Sequence, residues 1–65
     1  MNETDTSLQI NWTKTANGGW EALINGVTYL IEWHHDRYYL YRGQERNQID
    51  SNKSLLILKW IAECL

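Results

Sequence analysis

The sequence predicts an α+β fold, an antiparallel β-meander of three to four strands with one C-terminal α-helix packed on one face. Two observations predict the sheet: apolar and polar residues alternate with period two in several short runs, and an Asn-Gly pair separates two of these runs. The third observation is an apolar segment at helical spacing after two serines near the end. The chain has 65 residues, enough for one small domain. We expect residues 8–65 to form it and residues 1–7, which are polar, to be disordered.

The first predicted strand is Leu8–Thr15, in which Leu8, Ile10 and Trp12 alternate with polar residues. The segment Ala16–Gly19 (ANGG) has the composition of a turn. The sequence therefore predicts a short N-terminal strand that turns back into the next one.

A β-hairpin is predicted for Trp20–Ile24 and Val27–Trp33, joined by Asn25-Gly26. A two-residue Asn-Gly loop between β-rich runs is the strongest short hairpin signal and fixes the register. The predicted cross-strand pairs are Ile24 with Val27, Ala22 with Tyr29, and Trp20 with Ile31.

The next predicted strand is Tyr38–Tyr41, which pairs Trp33 with Tyr38 if His35-Asp36 is the turn. A slip of one residue would place Glu32 in the core, which supports this register. The predicted inner face is Trp20, Ala22, Ile24, Val27, Tyr29, Ile31, Trp33, Tyr38 and Leu40. The predicted outer face is Glu21, Leu23, Thr28, Leu30, Glu32, Tyr39 and Tyr41.

The segment Arg42–Asp50 is predicted to be a polar loop, with Ile49 turned inward as a plug. Ser51 or Ser54 can then cap a helix that runs to the end of the chain. One stripe of this helix is predicted to cover the sheet, and it comprises Leu55, Leu58, Ile61, Ala62 and Leu65. A second stripe on the opposite side comprises Leu56, Ile57, Trp60 and Cys64.

A helix that is apolar nearly all round must be buried nearly all round, but one small sheet can bury only one side of it. Two interpretations are open: the strand Leu8–Trp12 folds over the excess apolar surface, or another molecule covers it. We favour the second, with a symmetric helix-to-helix dimer as the simplest closed assembly. The predicted partner-binding residues, for self and for another protein, are Leu23, Leu30, Tyr39, Tyr41, Leu56, Ile57 and Trp60.

The stretch EWHHDRYY, residues 32–39, is a candidate metal or catalytic site because Glu32, His34 and Asp36 lie close together in sequence. It lacks the spacing of a metal signature and lies at a predicted hairpin tip, which water surrounds. We therefore predict a solvated turn between aromatic strands, no enzymatic activity, and no metal or cofactor. The histidines could make such a surface sensitive to pH.

The arrangement of a Trp-started hairpin (GGWEALINGVTYLIEW), a third aromatic strand and a helix (SLLILKWIAE) resembles small meander-plus-helix proteins of phages and mobile elements. The nearest named architecture is the AP2-like arm-binding domain of phage integrases, which the pattern resembles over residues 19–63. That resemblance implies DNA binding through the outer sheet face. It also implies, as a function, an accessory factor or an inhibitor of a host enzyme or defence complex.

Nucleic-acid binding is the alternative function, but the net charge of −2 disfavours it because phosphate binding needs a basic face. The residues that would serve it are Arg37, Tyr39, Tyr41, Arg42 and Arg46. The single cysteine, Cys64, excludes an internal disulfide and is typical of a reducing compartment. The chain opens with no secretion-type leader and its apolar runs are too short to span a membrane, so we expect a cytoplasmic protein.

Overall fold

A computed structural model describes residues 10–65, which form one antiparallel sheet and one helix. The five strands lie in chain order, as a meander, where three to four were predicted. Their bounds are β1 Thr13–Lys14, β2 Trp20–Ile24, β3 Val27–His34, β4 Arg37–Arg42 and β5 Asn47–Asn52. The helix α1 spans Leu55–Cys64. The predicted tail, residues 1–7, lies outside the described residues.

The β2–β3 hairpin has the predicted register, with Ile24 opposite Val27 and Trp20 opposite Ile31. Asn25 and Gly26 both adopt positive φ, 52° and 80°. Asparagine and glycine are the residues that tolerate such φ values at low cost. The two-residue turn thereby sets which side chains of both strands face the helix.

The β3–β4 hairpin also has the predicted register, with Trp33 opposite Tyr38 and a turn at His35-Asp36. His35 has a φ of 61°. The strands are slightly longer than predicted because His34 and Arg37 pair as well. The aromatic run after the turn therefore forms a central strand of the sheet.

The strand β5, Asn47–Asn52, was wrongly predicted to belong to a loop. Its sequence NQIDSN has no period-2 apolar pattern, and its backbone pairs with the edge of β4. A register shift between Leu40 and Tyr41 places Asp50 opposite Leu40 and Gln48 opposite Tyr41. Ile49 lies at this irregularity and is 39% exposed, so the prediction that it plugs the core is wrong.

The N-terminal strand is shorter than predicted, because only Thr13 and Lys14 pair with β2. Leu8, where the predicted strand begins, lies outside the described residues. Trp12 instead donates a hydrogen bond from Nε1 to Glu63 Oε2 of the helix, at 2.9 Å. Together with Ile10 it also packs against the core.

Gly19, the last residue of the ANGG turn, lies where no side chain fits. A Cβ added to it would clash with the carbonyl oxygen of Ile31. The turn is closed by Thr15, whose Oγ1 accepts from the Gly19 N–H at 2.9 Å. Close approach of two backbones is therefore the reason for glycine at this position.

The helix begins after Ser54, whose Oγ accepts a hydrogen bond from the Ile57 N–H, so Ser54 and not Ser51 is the cap. Ile31, Leu40 and Leu58 are fully buried between sheet and helix. The cluster around them comprises Ala22, Ile24, Tyr29 and Ala62, with Val27, Trp20, Tyr38, Leu55 and Ile61 at its margin.

Two residues predicted for the core are not in it. Trp33 is 49% exposed, since it lies at the end of β3, where its ring meets Tyr38 edge-on at 4.7 Å. Leu65 is 63% exposed, because α1 ends at Cys64 and Leu65 follows as its C-cap.

Candidate functional site

The outward side of α1 exposes the largest apolar side chains of the helix. Leu56, Ile57 and Trp60 are 76%, 43% and 63% exposed, and Cys64 is exposed as well. These are the four residues that the helical spacing predicted for the outer stripe. The N-terminal segment packs beside the helix but leaves them uncovered within residues 10–65.

One flank of this helix surface is charged. Lys59 and Glu63 line a shallow groove together with Leu56, Ile57 and Trp60. The Lys59 ammonium lies 4.3 Å from the ring centroid of Trp20 and 6.0 Å from that of Trp12. Glu63 Oε2 accepts the hydrogen bond of Trp12 described above.

These contacts restrict the positions of both charges before any partner arrives. Lys59 lies four residues before Glu63, so the two side chains lie on neighbouring turns of the same flank. The helix surface therefore has a fixed layout, with a tryptophan at its centre, a lysine and a glutamate on one flank, and Ile57 on the other. Lys59 and Glu63 were not predicted as site residues. Their spacing of four residues, which places both on one flank of a helix, is the sequence signal that could have identified them.

The outer face of the sheet is less apolar than predicted. Leu23 is 69% exposed, while Tyr39 and Tyr41 are half-buried. Leu30 is 8% exposed, so its predicted exposure is wrong. It lies on a central strand between its cross-strand neighbours Glu21 and Tyr41, and the turn after β4 borders the same spot.

In the EWHHDRYY stretch, Glu32 and His34 lie on one side of the sheet. His34 Nε2 lies 3.2 Å from Glu32 Oε1, and Arg46 NH1 lies 3.9 Å from Glu32 Oε2. The Glu32 carboxylate therefore lies between the His34 ring and the Arg46 guanidinium. No group of three or more His, Cys, Asp or Glu side chains arranged to hold a metal occurs in residues 10–65.

The arginines named for nucleic-acid binding are not brought together on one face. Arg37 alternates in phase with Tyr39 and Tyr41 on the outer face, where its NH1 donates to Ser51 Oγ at 3.3 Å. Arg42 is opposite Tyr29, which belongs to the inner face. Arg46 lies in the turn before β5 and points its guanidinium at Glu32.

Comparisons with protein-family models, with curated proteins and with solved structures found no match to this chain. Across residues 10–65, α1 falls short of the length and hydrophobicity that a membrane-crossing helix needs.

Proposed function

We propose that this chain is a small, non-enzymatic interaction protein that forms a homodimer through the outer stripe of α1 and binds another protein through the outer face of its sheet. The observation that carries the proposal is the contiguous exposure of Leu56, Ile57 and Trp60 on a helix whose other side is already buried.

The energetic reason is the cost of leaving this surface in water. Fully burying one large apolar side chain is worth about 1.5–3 kcal/mol. Because Leu56, Ile57 and Trp60 are 76%, 43% and 63% exposed, burying the remainder would gain roughly half to three quarters of this value for each. The total is still a large fraction of the stability of a domain of this size, about 0.05–0.15 kcal/mol per residue. Tryptophan is also the residue type most enriched at the energetic centres of protein interfaces.

The position of the helix makes the two proposed surfaces independent. Because α1 covers the inner face of the sheet, a dimer that forms through α1 leaves the outer face of each protomer open. Leu23, Tyr39 and Tyr41 would then be available to a second partner on both sides of the dimer. The resemblance to phage and mobile-element proteins suggests that this partner is a host enzyme or defence complex that the protein inhibits or assists.

The test is solution mass, by light scattering over a range of concentrations, for the native chain, Trp60→Glu and Leu23→Glu. The native chain and Leu23→Glu should dimerise as concentration rises, and Trp60→Glu should remain a monomer. Leu23→Glu is the matched control, since it adds the same charge at a similarly exposed apolar residue on the other side of the molecule. A native chain that is monomeric at every concentration would remove the dimer from the proposal.

Nucleic-acid binding is kept as a second function because Arg37, Tyr39 and Tyr41 share the outer face, an arrangement suited to stacking on bases. The carboxylates of Glu21 and Glu32 lie on the same face, and their negative charge disfavours the binding of phosphate groups there. Titration with single-stranded DNA and RNA at increasing salt separates the two functions. Binding that weakens steeply with salt and is lost in Arg37→Glu would favour nucleic acid over protein.

A further inference from the structure

We propose that the two helices of the homodimer lie antiparallel, with the Trp60 side chains at the two-fold axis and Leu56 of each protomer opposite Cys64 of the partner. This inference rests on the proposed function, because it specifies the geometry of the dimer described there. The groove on α1 carries one positive and one negative side chain, Lys59 and Glu63, so its charges are complementary to those of a second copy of itself. We therefore infer that a second copy of the chain occupies this groove.

The apolar centre of the stripe is symmetric about Trp60. Leu56 and Cys64 lie four residues before and after it, so the three side chains form one straight ridge along the helix. A two-fold axis perpendicular to α1 at Trp60 brings Leu56 of one helix to the level of Cys64 of the other. The exposed side chains of both protomers then meet without a shift along the axis.

The flanks decide between antiparallel and parallel pairing. At about 100° per residue, Glu63 and Lys59 lie on one side of Trp60 and Ile57 lies on the other. In a parallel pair the opposite flanks of the two helices meet, whereas in an antiparallel pair like flanks meet. Parallel pairing would set each lysine and glutamate against the partner's isoleucine, which buries charge against apolar surface.

Antiparallel pairing instead brings the two charged flanks together. The Lys59 of each protomer then lies within about 3 Å, measured along the helix axis, of the level of the partner's Glu63, and the two Lys59 side chains are equally close in level. The two Glu63 side chains lie about 9 Å apart in level, so the two attractive pairs outweigh the one close repulsive pair. Two symmetric ion pairs can form, and the two Ile57 side chains meet on the opposite flank. The antiparallel arrangement also aligns the helix dipoles favourably.

The size of this interface sets its expected strength. A helix of 10 residues is about 15 Å long. Two such helices packed side by side bury less surface than roughly 1,200 Å², the lower limit for stable protein interfaces. We therefore expect a dimer that dissociates on dilution, and the experiment below works at the concentration where light scattering finds it half formed.

The experiment crosslinks two chains that each carry one cysteine. The native chain has Cys64 alone, and the variant Leu56→Cys/Cys64→Ser has its cysteine eight residues earlier. The two are mixed, one of them labelled with ¹⁵N, and treated with a short bis-maleimide. Every crosslink then joins two molecules, and mass spectrometry counts the three products.

Antiparallel pairing predicts that the crosslink between position 56 and position 64 exceeds both like-to-like crosslinks at least tenfold. Like positions would lie about 12 Å apart along the axis in that arrangement, and unlike positions would lie level. Leu23→Cys/Cys64→Ser is the control for random collision, since its cysteine is exposed on the far side of the sheet.

The possible failures are distinguishable. Predominant like-to-like crosslinks in a protein that dimerises by light scattering would overturn the antiparallel geometry and leave the dimer. Crosslinking no greater than that of the Leu23→Cys control, in a protein that light scattering finds monomeric, would overturn the proposed dimer itself.

Discussion

The two sides of α1 have similar composition and opposite surroundings. Leu58 and Ala62 on the inner side are 0% and 1% exposed, whereas Leu56 and Trp60 on the outer side are 76% and 63% exposed. Within a single subunit the inner side supplies folding energy and the outer side supplies almost none. The difference teaches that apolar character alone does not identify a core residue, because the sheet has only one face to offer the helix.

The largest expected effect is that of truncating the inner side. Leu58→Ala should lower the free energy of unfolding by about 2–5 kcal/mol, because it leaves a cavity in a fully packed site. Leu56→Ala is the matched change on the outer side, and we expect it to alter the stability of the monomer by less than about 0.5 kcal/mol. Urea unfolding at low protein concentration measures both values. Equal losses would mean that the two sides are energetically alike.

The next largest effect is expected for Trp60→Glu on the outer side of α1, in the way the thermal unfolding midpoint changes with protein concentration. Association that occurs only in the folded state raises the unfolding midpoint as concentration increases. The thermal midpoint of the native chain should therefore rise with concentration, while that of Trp60→Glu should stay constant. The two should coincide at high dilution. A lower midpoint for Trp60→Glu even there would show that Trp60 contributes to the fold of the monomer.

A smaller effect is expected at the border between the two sides, where Trp12 is hydrogen-bonded to Glu63. Trp12→Phe removes the Nε1 donor and keeps an aromatic ring next to the helix. The loss should be about 0.5–1.5 kcal/mol at most, since this hydrogen bond is exposed. Denaturant unfolding measures it, with Trp33→Phe as the control at another partly exposed tryptophan, whose ring contacts Tyr38. A loss for Trp12→Phe no greater than that for Trp33→Phe would mean that this hydrogen bond does not stabilise the N-terminal segment.

The smallest effect should come from the charges beside the outer stripe. Lys59→Glu and Glu63→Lys should each weaken dimerisation by about 0.2–1 kcal/mol, the value of an exposed ion pair. Mixing the two variants restores opposite charges across an antiparallel interface. Sedimentation of the mixture should show stronger association than either variant alone, whereas a mixture no stronger than its components would speak against the flank pairing.

The sheet shows where sequence patterns succeed and where they fail. The registers of β2 with β3 and of β3 with β4 were predicted correctly because Asn25-Gly26 and the alternation around it permit few other arrangements. β5 was missed because NQIDSN offers no apolar alternation, and its conformation depends on the free edge of β4. Backbone hydrogen bonds to the free edge of β4 do not require any particular pattern of side chains in β5, so the sequence could not predict this strand.

The residues of the candidate interface also include some whose exposure was predicted correctly and one whose exposure was not. The exposure of Leu56, Ile57 and Trp60 followed from helical periodicity and a one-sided sheet, so their identity could be read from the spacing of apolar residues. Leu30 could not be placed from its alternation, because its burial depends on which neighbours stand beside it across two strand pairs.

The sequence by itself determined the fold class, the two central hairpins and the outer stripe of α1, since each follows from interactions between residues near one another in the chain. Only the tertiary structure decided that Trp12 is hydrogen-bonded to Glu63, that Lys59 lies against two tryptophans, and that Leu30 is covered. Those outcomes depend on which distant segments meet in space, and local propensity and periodicity carry no information about such encounters.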